Sequence, residues 1–161
     1  MGRFVIELFD LYDLSVDRLT RQLFLAMKLV REQLDEQLAE RGGSLQQWVL
    51  LRALADEPHL SHRELANRMY LSSPTLTHHL DRLEASALIV RKRDTRDRRV
   101  VHVALTPAGR HRFAELEAVA DSADAQVRAL LTPPEADTLH RLLADLHDRL
   151  LDSRKGQPRA S

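Results

Sequence analysis

Residues 61–105 read SHRELANRMYLSSPTLTHHLDRLEASALIVRKRDTRDRRVVHVAL, and this stretch contains the elements that decide the fold. Ser61, followed three residues later by Glu64, has the form of a capping box, which predicts the start of a short helix. After a turn at residues 70–71, one of the two serines before Pro74 caps a second helix, which runs to about Ala85. The pattern predicts two short helices joined by a tight turn.

Two short runs of branched aliphatic residues follow the second helix, and a charged run separates them. Residues 88–90 and 100–105 have the Val, Ile and Leu content typical of strands. Residues 91–99 form a polar loop between them, so the two strands are predicted to pair as a hairpin. A hairpin directly after two such helices is the winged helix-turn-helix arrangement. We therefore predict a mainly α fold with a small β-hairpin.

The charge of the chain is concentrated in this same segment. Residues 61–103 contain nine Lys or Arg and five Asp or Glu, whereas the whole chain has a formal net charge of zero. A basic middle between acidic flanks is typical of a localised surface that faces phosphates. The alternative is an ordinary solvated face on which the charges cluster by chance.

Small, hydrogen-bonding side chains lie at the N-terminal end of the second helix, where a helix in the major groove contacts base edges. We predict that these side chains, with an arginine one turn further on, contact DNA: Ser72, Ser73, Thr75, Thr77, His78 and Arg82. In the hairpin loop, Arg96 and Arg98 are predicted to enter the minor groove, where the negative potential attracts arginine.

Two aspartates flank Arg96 in the hairpin loop. Asp94 and Asp97 are interpreted as braces that hold the neighbouring arginines through charge-assisted hydrogen bonds. The alternative is a solvated loop whose charges confer only solubility. The position of the loop directly after a recognition-type helix favours the DNA-contacting interpretation.

Long helical segments flank the winged unit. Residues 15–40 contain no Gly or Pro, and their apolar residues recur at spacings of three and four: Leu19, Leu23, Met27, Val30, Leu34 and Leu38. Ser44 is predicted to cap a further helix, Thr106 another, and a final leucine-rich helix covers residues 135–150. We predict a dimerisation region at 1–43, a DNA-binding domain at 44–105, dimerisation helices at 106–152 and a disordered tail at 153–161.

The leucines of the last helix are too numerous for a solvent-facing appendage. Together with the first helix and an apolar N-terminal run at residues 4–11, they predict a core shared between two subunits. The alternative is a core within one chain. A dimer is expected in either case, because two recognition helices about one DNA turn apart multiply a weak half-site affinity.

From about Ser15 to Leu151, the chain resembles the MarR (multiple antibiotic resistance regulator) family of transcription factors. The resemblance is carried by LQQWVL at 45–50, ELA at 64–66, LSSPTLT at 71–77, DRLE at 81–84, DTRDRR at 94–99 and LTPAGR at 105–110. It implies an obligate homodimer that binds a pseudo-palindromic operator, with repression commonly relieved by a small ligand. It places Ser72, Thr75, Thr77 and His78 in the major groove, and Arg96 and Arg98 at the wing.

The resemblance also implies an effector pocket where the dimer helices meet the DNA-binding lobe. The residues expected near it are Met27, Trp48 and Arg52, and the expected effector is a small aromatic or anionic molecule. Core packing is the alternative for Met27 and Trp48, and pairing with Asp56 is the alternative for Arg52.

The chain departs from the MarR pattern at two positions. Ala87 stands where the family usually has glycine, which costs about 1 kcal/mol if the helix ends there in a left-handed residue. His78 stands where a basic residue is common, and we hypothesise that it makes DNA affinity dependent on pH.

Other functional classes find little support in the sequence. There is no cysteine, Gly-rich phosphate loop, nucleophile elbow or tight cluster of metal ligands, so neither an enzyme nor a metal or cofactor site is expected. No apolar run is long enough to span a membrane, and Glu7 comes too early for a signal peptide, so a cytoplasmic protein is expected. The remaining alternative is a protein-interaction module that keeps the winged fold without binding DNA.

Overall fold

The computed structural model describes residues 18–94 and 101–155. The helices are α1 (Leu19–Glu40), α2 (Leu45–Asp56), α3 (His62–Arg68), α4 (Ser73–Ala85), α5 (Pro107–Arg128) and α6 (Pro133–Lys155). The strands are β1 (Leu60–Ser61), β2 (Ile89–Arg93) and β3 (Val101–Leu105). The mainly helical winged fold that the sequence predicts is confirmed. The N-terminal apolar run at 4–11 lies outside the described residues.

Side-chain caps set the starts of the helices at the predicted places. The Ser44 hydroxyl accepts a hydrogen bond from the Gln47 backbone N–H, and that of Ser72 accepts one from the Thr75 N–H. Ser61 and Glu64 form the full capping box of α3. Each cap supplies a partner to a backbone N–H that the helix itself leaves free, and so defines where the helix begins.

The sheet has three strands where the sequence predicts two. Strand β1 pairs antiparallel with β3, Leu60 opposite Val103 and Ser61 opposite His102, so the order is β1-β3-β2. A two-residue strand is too short to show an alternating pattern, and Ser61 also carries the capping signal of a helix. The two-stranded hairpin was therefore an incomplete prediction, and the third strand ties the segment before α3 to the wing.

The last helix also differs from its predicted extent. It continues to Lys155, so residues 153–155, which the sequence assigns to a disordered tail, are helical. The physical reason is that no Gly or Pro occurs between Pro134 and Gly156. The rest of the tail lies outside the described residues.

One leucine-rich core joins the helix-turn-helix to the flanking helices. Leu65 of α3 and Leu76 and Leu80 of α4 are fully buried, and they pack with Leu38 and Leu116 of the outer helices. Burying a leucine side chain contributes about 1.5–3 kcal/mol. The face of α4 opposite its polar side chains is thus held by close packing, which fixes the direction in which those side chains point.

A left-handed residue, Ala87, follows the end of helix α4. Ala87 has φ 54°, its N–H donates to the Glu84 carbonyl, and the Leu88 N–H donates to the Leu83 carbonyl, both at 2.9 Å. This is the Schellman arrangement, in which glycine usually occupies the left-handed position. Alanine raises the cost of the turn by about 1 kcal/mol, and the turn sends the chain directly into β2.

The outermost helices leave apolar side chains in solvent. Within the described residues, α6 buries only Ala136. Four of its leucines, and five apolar residues of α1, are more than one-third exposed: Leu139, Leu142, Leu143 and Leu150; Leu19, Leu25, Met27, Leu29 and Val30. A single subunit therefore presents an unusually large apolar surface formed by its first and last helices.

Candidate nucleic-acid interface

The N-terminal turn of α4 is exposed and lined by hydroxyl groups. The Ser72 and Thr75 hydroxyl oxygens lie 2.7 Å apart, and Ser72 also caps the helix. Ser73, Thr75 and His78 are exposed on the same stretch. A helix end that combines free backbone N–H groups with exposed hydroxyls can bind a phosphate and the edges of bases.

Thr77 is held by a histidine that the sequence did not single out as a site residue. The Thr77 hydroxyl donates to the Ser73 carbonyl at 2.9 Å and lies 3.1 Å from Nε2 of His62, the first residue of α3. Because the single hydroxyl proton is used on Ser73, Nε2 of His62 must be the donor in the second contact. Thr77 therefore presents an oriented acceptor lone pair. Only the fold brings His62 and Thr77 together, since they are 15 residues apart.

Arg82 and His79 lie beside a different feature, a polar cavity of about 340 Å³ between α4 and the start of α2. The cavity is also lined by Ser44 and Gln47. Arg82 remains exposed, so the cavity does not withdraw its guanidinium from solvent. The rings of His78 and His79 are 5.8 Å apart and tilted.

Arg91 connects the wing to α4. Its Nη1 lies 2.7 Å from Oδ1 of Asp81 and 3.3 Å from Oε2 of Glu84, and its Nη2 donates to the Thr77 carbonyl at 3.4 Å. Sequence composition places Arg91 in the basic patch, yet its charge faces two carboxylates of the protein. Arg91 therefore holds β2 against α4. The sequence did not predict this pairing, because it joins residues of two different elements.

The wing strands carry exposed cations that remain open to solvent. Lys92 and Arg93 are exposed at the end of β2. Arg96, Arg98 and the predicted brace Asp97 lie outside the described residues. Asp94, the other predicted brace, has Oδ2 3.1 Å from Nε2 of His102 on β3.

His102 has a second partner on the opposite side of the sheet. Its Nδ1 lies 2.7 Å from the backbone carbonyl oxygen of His59, the residue before β1. The hydrogen bond to His59, and then that to Asp94, raise the pKa of His102 above its ordinary value. Sequence reasoning counted His102 only as part of the basic segment.

Two of the three residues predicted near an effector pocket meet in one cluster. The indole Nε1 of Trp48 donates to Oε2 of Glu117 at 2.7 Å. Nη1 of Arg52 lies 2.5 Å from Oε1 of the same carboxylate. The Arg52 guanidinium also lies over the Trp48 ring, with its central carbon 5.7 Å from the ring centroid. The alternative pairing of Arg52 with Asp56 is wrong, because Asp56 faces Arg68 instead. Met27 lies on α1 with 57% of its surface exposed.

The described residues, 18–94 and 101–155, contain neither a metal-binding cluster nor a membrane-spanning helix. No group of three or more His, Cys, Asp or Glu side chains is arranged there to hold a metal ion. No helix in these ranges has the length and apolar content that a membrane span requires.

Comparison with known proteins places the chain among bacterial regulators. The model of the MarR family matches residues 44–101. The homoprotocatechuate degradative operon repressor of Escherichia coli is 30% identical over 100 residues, which cover 62% of this chain and 68% of that protein. The HTH-type transcriptional repressor Rv2887 of Mycobacterium tuberculosis is 31% identical over 118 residues, which cover 73% of this chain and 85% of that protein.

Solved structures agree with this relationship. The M. tuberculosis protein in complex with DNA has a TM-score of 0.70 and 29% identity, covering 81% of this chain and 98% of that chain. Its complex with p-aminosalicylic acid has a TM-score of 0.68 at the same identity and coverage. The transcriptional repressor CouR, bound to a 23-mer DNA duplex, has a TM-score of 0.78 and 26% identity. The match covers 84% of this chain and 96% of the CouR chain. With its winged helix-turn-helix and these relatives, the chain belongs to the MarR family of transcriptional regulators.

Proposed function

We propose that the protein is a homodimeric, sequence-specific repressor that binds a pseudo-palindromic operator. The observation that carries the proposal is the mounting of α4: its apolar face is fully buried, its N-terminal hydroxyls are exposed, and Arg91 ties it to the wing. A rigid helix next to a wing can insert its first turns into the major groove while the wing reaches the adjacent minor groove. The DNA complexes of two relatives support this proposal.

Specific roles follow for the side chains of α4. Ser72 and Ser73 lie where backbone N–H groups and hydroxyls would contact a phosphate. Thr75, Thr77 and His78 would face base edges, and Arg82 would contact the flanking backbone or base. Arg96 and Arg98, which lie outside the described residues, are proposed for the minor groove.

A second copy of the chain is the proposed partner of the exposed apolar faces. The leucine stripe of α6, defined as Leu139, Leu142, Leu143, Leu146 and Leu150, continues along one face of the helix, and α1 presents a comparable surface. Burying both against a second subunit removes them from water and places the two α4 helices in a symmetric pair. Half-sites about 34–36 Å apart would then be read together.

A mobility-shift measurement tests DNA recognition by using the region upstream of the protein's own gene, with excess nonspecific DNA. We expect a specific complex that weakens as salt is raised, because bound Lys and Arg release counterions from the phosphates. Thr77→Ala removes an oriented acceptor and is expected to weaken binding about tenfold.

Thr138→Ala provides the matched control, since Thr138 is exposed on α6, is not part of the leucine stripe and does not lie on α4 or the wing. It is expected to bind as the wild-type protein does. A folded dimer that binds its upstream region no better than nonspecific DNA, or a Thr77→Ala variant with unchanged operator affinity, would contradict the proposal.

The cluster of Trp48, Arg52 and Glu117 is the proposed effector site. Its guanidinium is already paired with a carboxylate next to an aromatic ring, which is the environment that an aromatic carboxylate requires. Such a ligand would take the place of Glu117 and so separate α2 of the DNA-binding domain from α5. The p-aminosalicylic acid complex of the M. tuberculosis relative supports a ligand of this class; Met27, on α1, is proposed to line the approach.

Trp48 is the only tryptophan of the chain, so its fluorescence reports on this cluster. Titration with p-aminosalicylic acid is expected to change the emission until saturation. Arg52→Gln should weaken binding about tenfold because the paired cation is lost, whereas Glu117→Gln should strengthen it because a competing charge is removed. Equal affinity in the wild-type protein and both variants would contradict this site.

A further inference from the structure

His102 lies on the central strand of the sheet and contacts the segment next to each edge strand. On one side its Nδ1 is 2.7 Å from the His59 carbonyl oxygen, directly before β1. On the other its Nε2 is 3.1 Å from the Asp94 carboxylate, directly after β2. A single imidazole thus bridges the segment leading into the helix-turn-helix and the base of the wing.

The chemistry of the two neighbours defines the protonation state that fits this bridge. A carbonyl oxygen and a carboxylate oxygen are both acceptors, so each needs an N–H from the ring. A neutral imidazole has one N–H and would direct a lone pair at one of the two oxygens. The imidazolium form alone satisfies both contacts.

The other groups around His102 include some that raise its pKa and some that lower it. Glu64 of α3 favours the charged ring, as does Asp94, whereas partial burial opposes it. Lys92 lies directly opposite His102 in the β2–β3 register and is a cation on the same face of the sheet. The pKa of His102 is nevertheless raised, because the hydrogen bonds to His59 and Asp94 dominate.

His59 itself has a left-handed backbone, with φ 70°, which is unfavourable for a residue that has a side chain. Its carbonyl oxygen points at the His102 ring, so the hydrogen bond helps to hold the strained segment beside β3. Loss of this bond would release the entry to α3 from β3.

We propose that His102 is a positioning residue for the wing that acts only in its imidazolium form. When the ring loses its proton, one of its two contacts, to His59 or to Asp94, is lost, and the base of the wing is no longer fixed to the entry of the helix-turn-helix. If the proposed operator binding holds, operator affinity then falls as His102 is deprotonated.

The direction of the pH effect follows from the raised pKa of the folded state. The stabilisation is fully present below the ordinary histidine pKa of about 6.5, and it is lost as the pH rises through the higher pKa of the folded protein.

The first experiment needs no DNA. Urea unfolding of the wild-type protein and His102→Gln is compared from about pH 5.5 to about pH 8.5, and the ring of His102 is titrated by NMR. We expect the stability difference between the two proteins to shrink as the pH rises, and His102 to titrate above its ordinary value. A pH-independent difference, or a His102 pKa at or below that value, would overturn the proposal.

Three further variants test whether the pH dependence of stability comes from His102 and its two contacts. Asp94→Asn should lower the pKa of His102, because the carboxylate is removed. His59→Gly should relieve the left-handed strain but keep the pH dependence, because the acceptor is a backbone carbonyl. His111→Gln, at a histidine that is 80% exposed on α5, should leave the profile unchanged. A profile altered by His111→Gln but not by Asp94→Asn would overturn the assignment.

The second experiment measures operator affinity over the same pH range. We expect a steeper fall for the wild-type protein than for His102→Gln, and the wild-type slope in His111→Gln. A slope that vanishes in His78→Gln and persists in His102→Gln would overturn the link to DNA binding. If a folded dimer binds no operator at any pH, the proposed function fails, while the urea and NMR results still decide the role of His102.

Discussion

Leu143→Glu is expected to convert the dimer into monomers and to lower operator affinity by about two orders of magnitude or more. Leu143 lies in the middle of the leucine stripe of α6 and is 44% exposed in one subunit. In the proposed dimer a glutamate there would be buried without a partner, which is strongly unfavourable. Each monomer would then bind a single half-site, and the gain of about 10² to 10⁴ that linked sites provide would be lost.

Sedimentation gives the oligomeric state of this variant, and a mobility shift on the full operator gives its affinity. Ala144→Glu is the matched control, because it introduces the same charge one residue further on, at an exposed position outside the stripe. It should remain dimeric and bind as the wild-type protein does. A dimeric Leu143→Glu protein would place the subunit interface elsewhere.

Gly109→Ala is expected to destabilise the protein by about 3 kcal/mol or more, because the added methyl group meets backbone and not a mobile side chain. A Cβ at this position would lie 1.9 Å from the Leu88 carbonyl oxygen and 2.9 Å from its carbon. That carbonyl accepts the Thr106 N–H at 3.0 Å. The clash therefore separates the start of α5 from the segment between α4 and β2.

Urea unfolding at one fixed protein concentration, followed by circular dichroism, measures this effect. Ala108→Gly is the control: it changes one methyl group at an exposed position in the same helical turn and should cost at most about 1 kcal/mol. A Gly109→Ala protein as stable as Ala108→Gly would mean that α5 can move away from Leu88 without loss.

Local signals in the sequence were sufficient for most of the helical boundaries. The capping box of Ser61 and Glu64, the cap at Ser72 and the left-handed Ala87 each depend on residues within three or four positions of one another. Such interactions are visible in the spacing alone. The short strand β1 was missed because its only reason for being a strand is its pairing with β3, 41 residues away in the register of Ser61 and His102.

The same distinction explains what was missed in the candidate site. The side chains proposed to face DNA are polar residues on one helix, so their type and position indicate a role. His62, Arg91 and His102 act through partners on other elements, and their spacing in the sequence carries no sign of those contacts. The pairing of Arg52 with Glu117, 65 residues apart, could not be chosen over the nearby Asp56 for the same reason.

The hydrogen bonds of Thr106 link the orientation of α5 to that of α4. The Thr106 hydroxyl donates to the Ala87 carbonyl at 2.7 Å, so the long helix α5 begins on the very residues that end the recognition helix. The end of α4 and the start of α5 are thus in direct hydrogen-bonded contact. In a symmetric pair, any change in the crossing angle of the two α5 helices would rotate both recognition helices with it. The spacing of half-sites that the protein can read would then depend on a single angle between subunits.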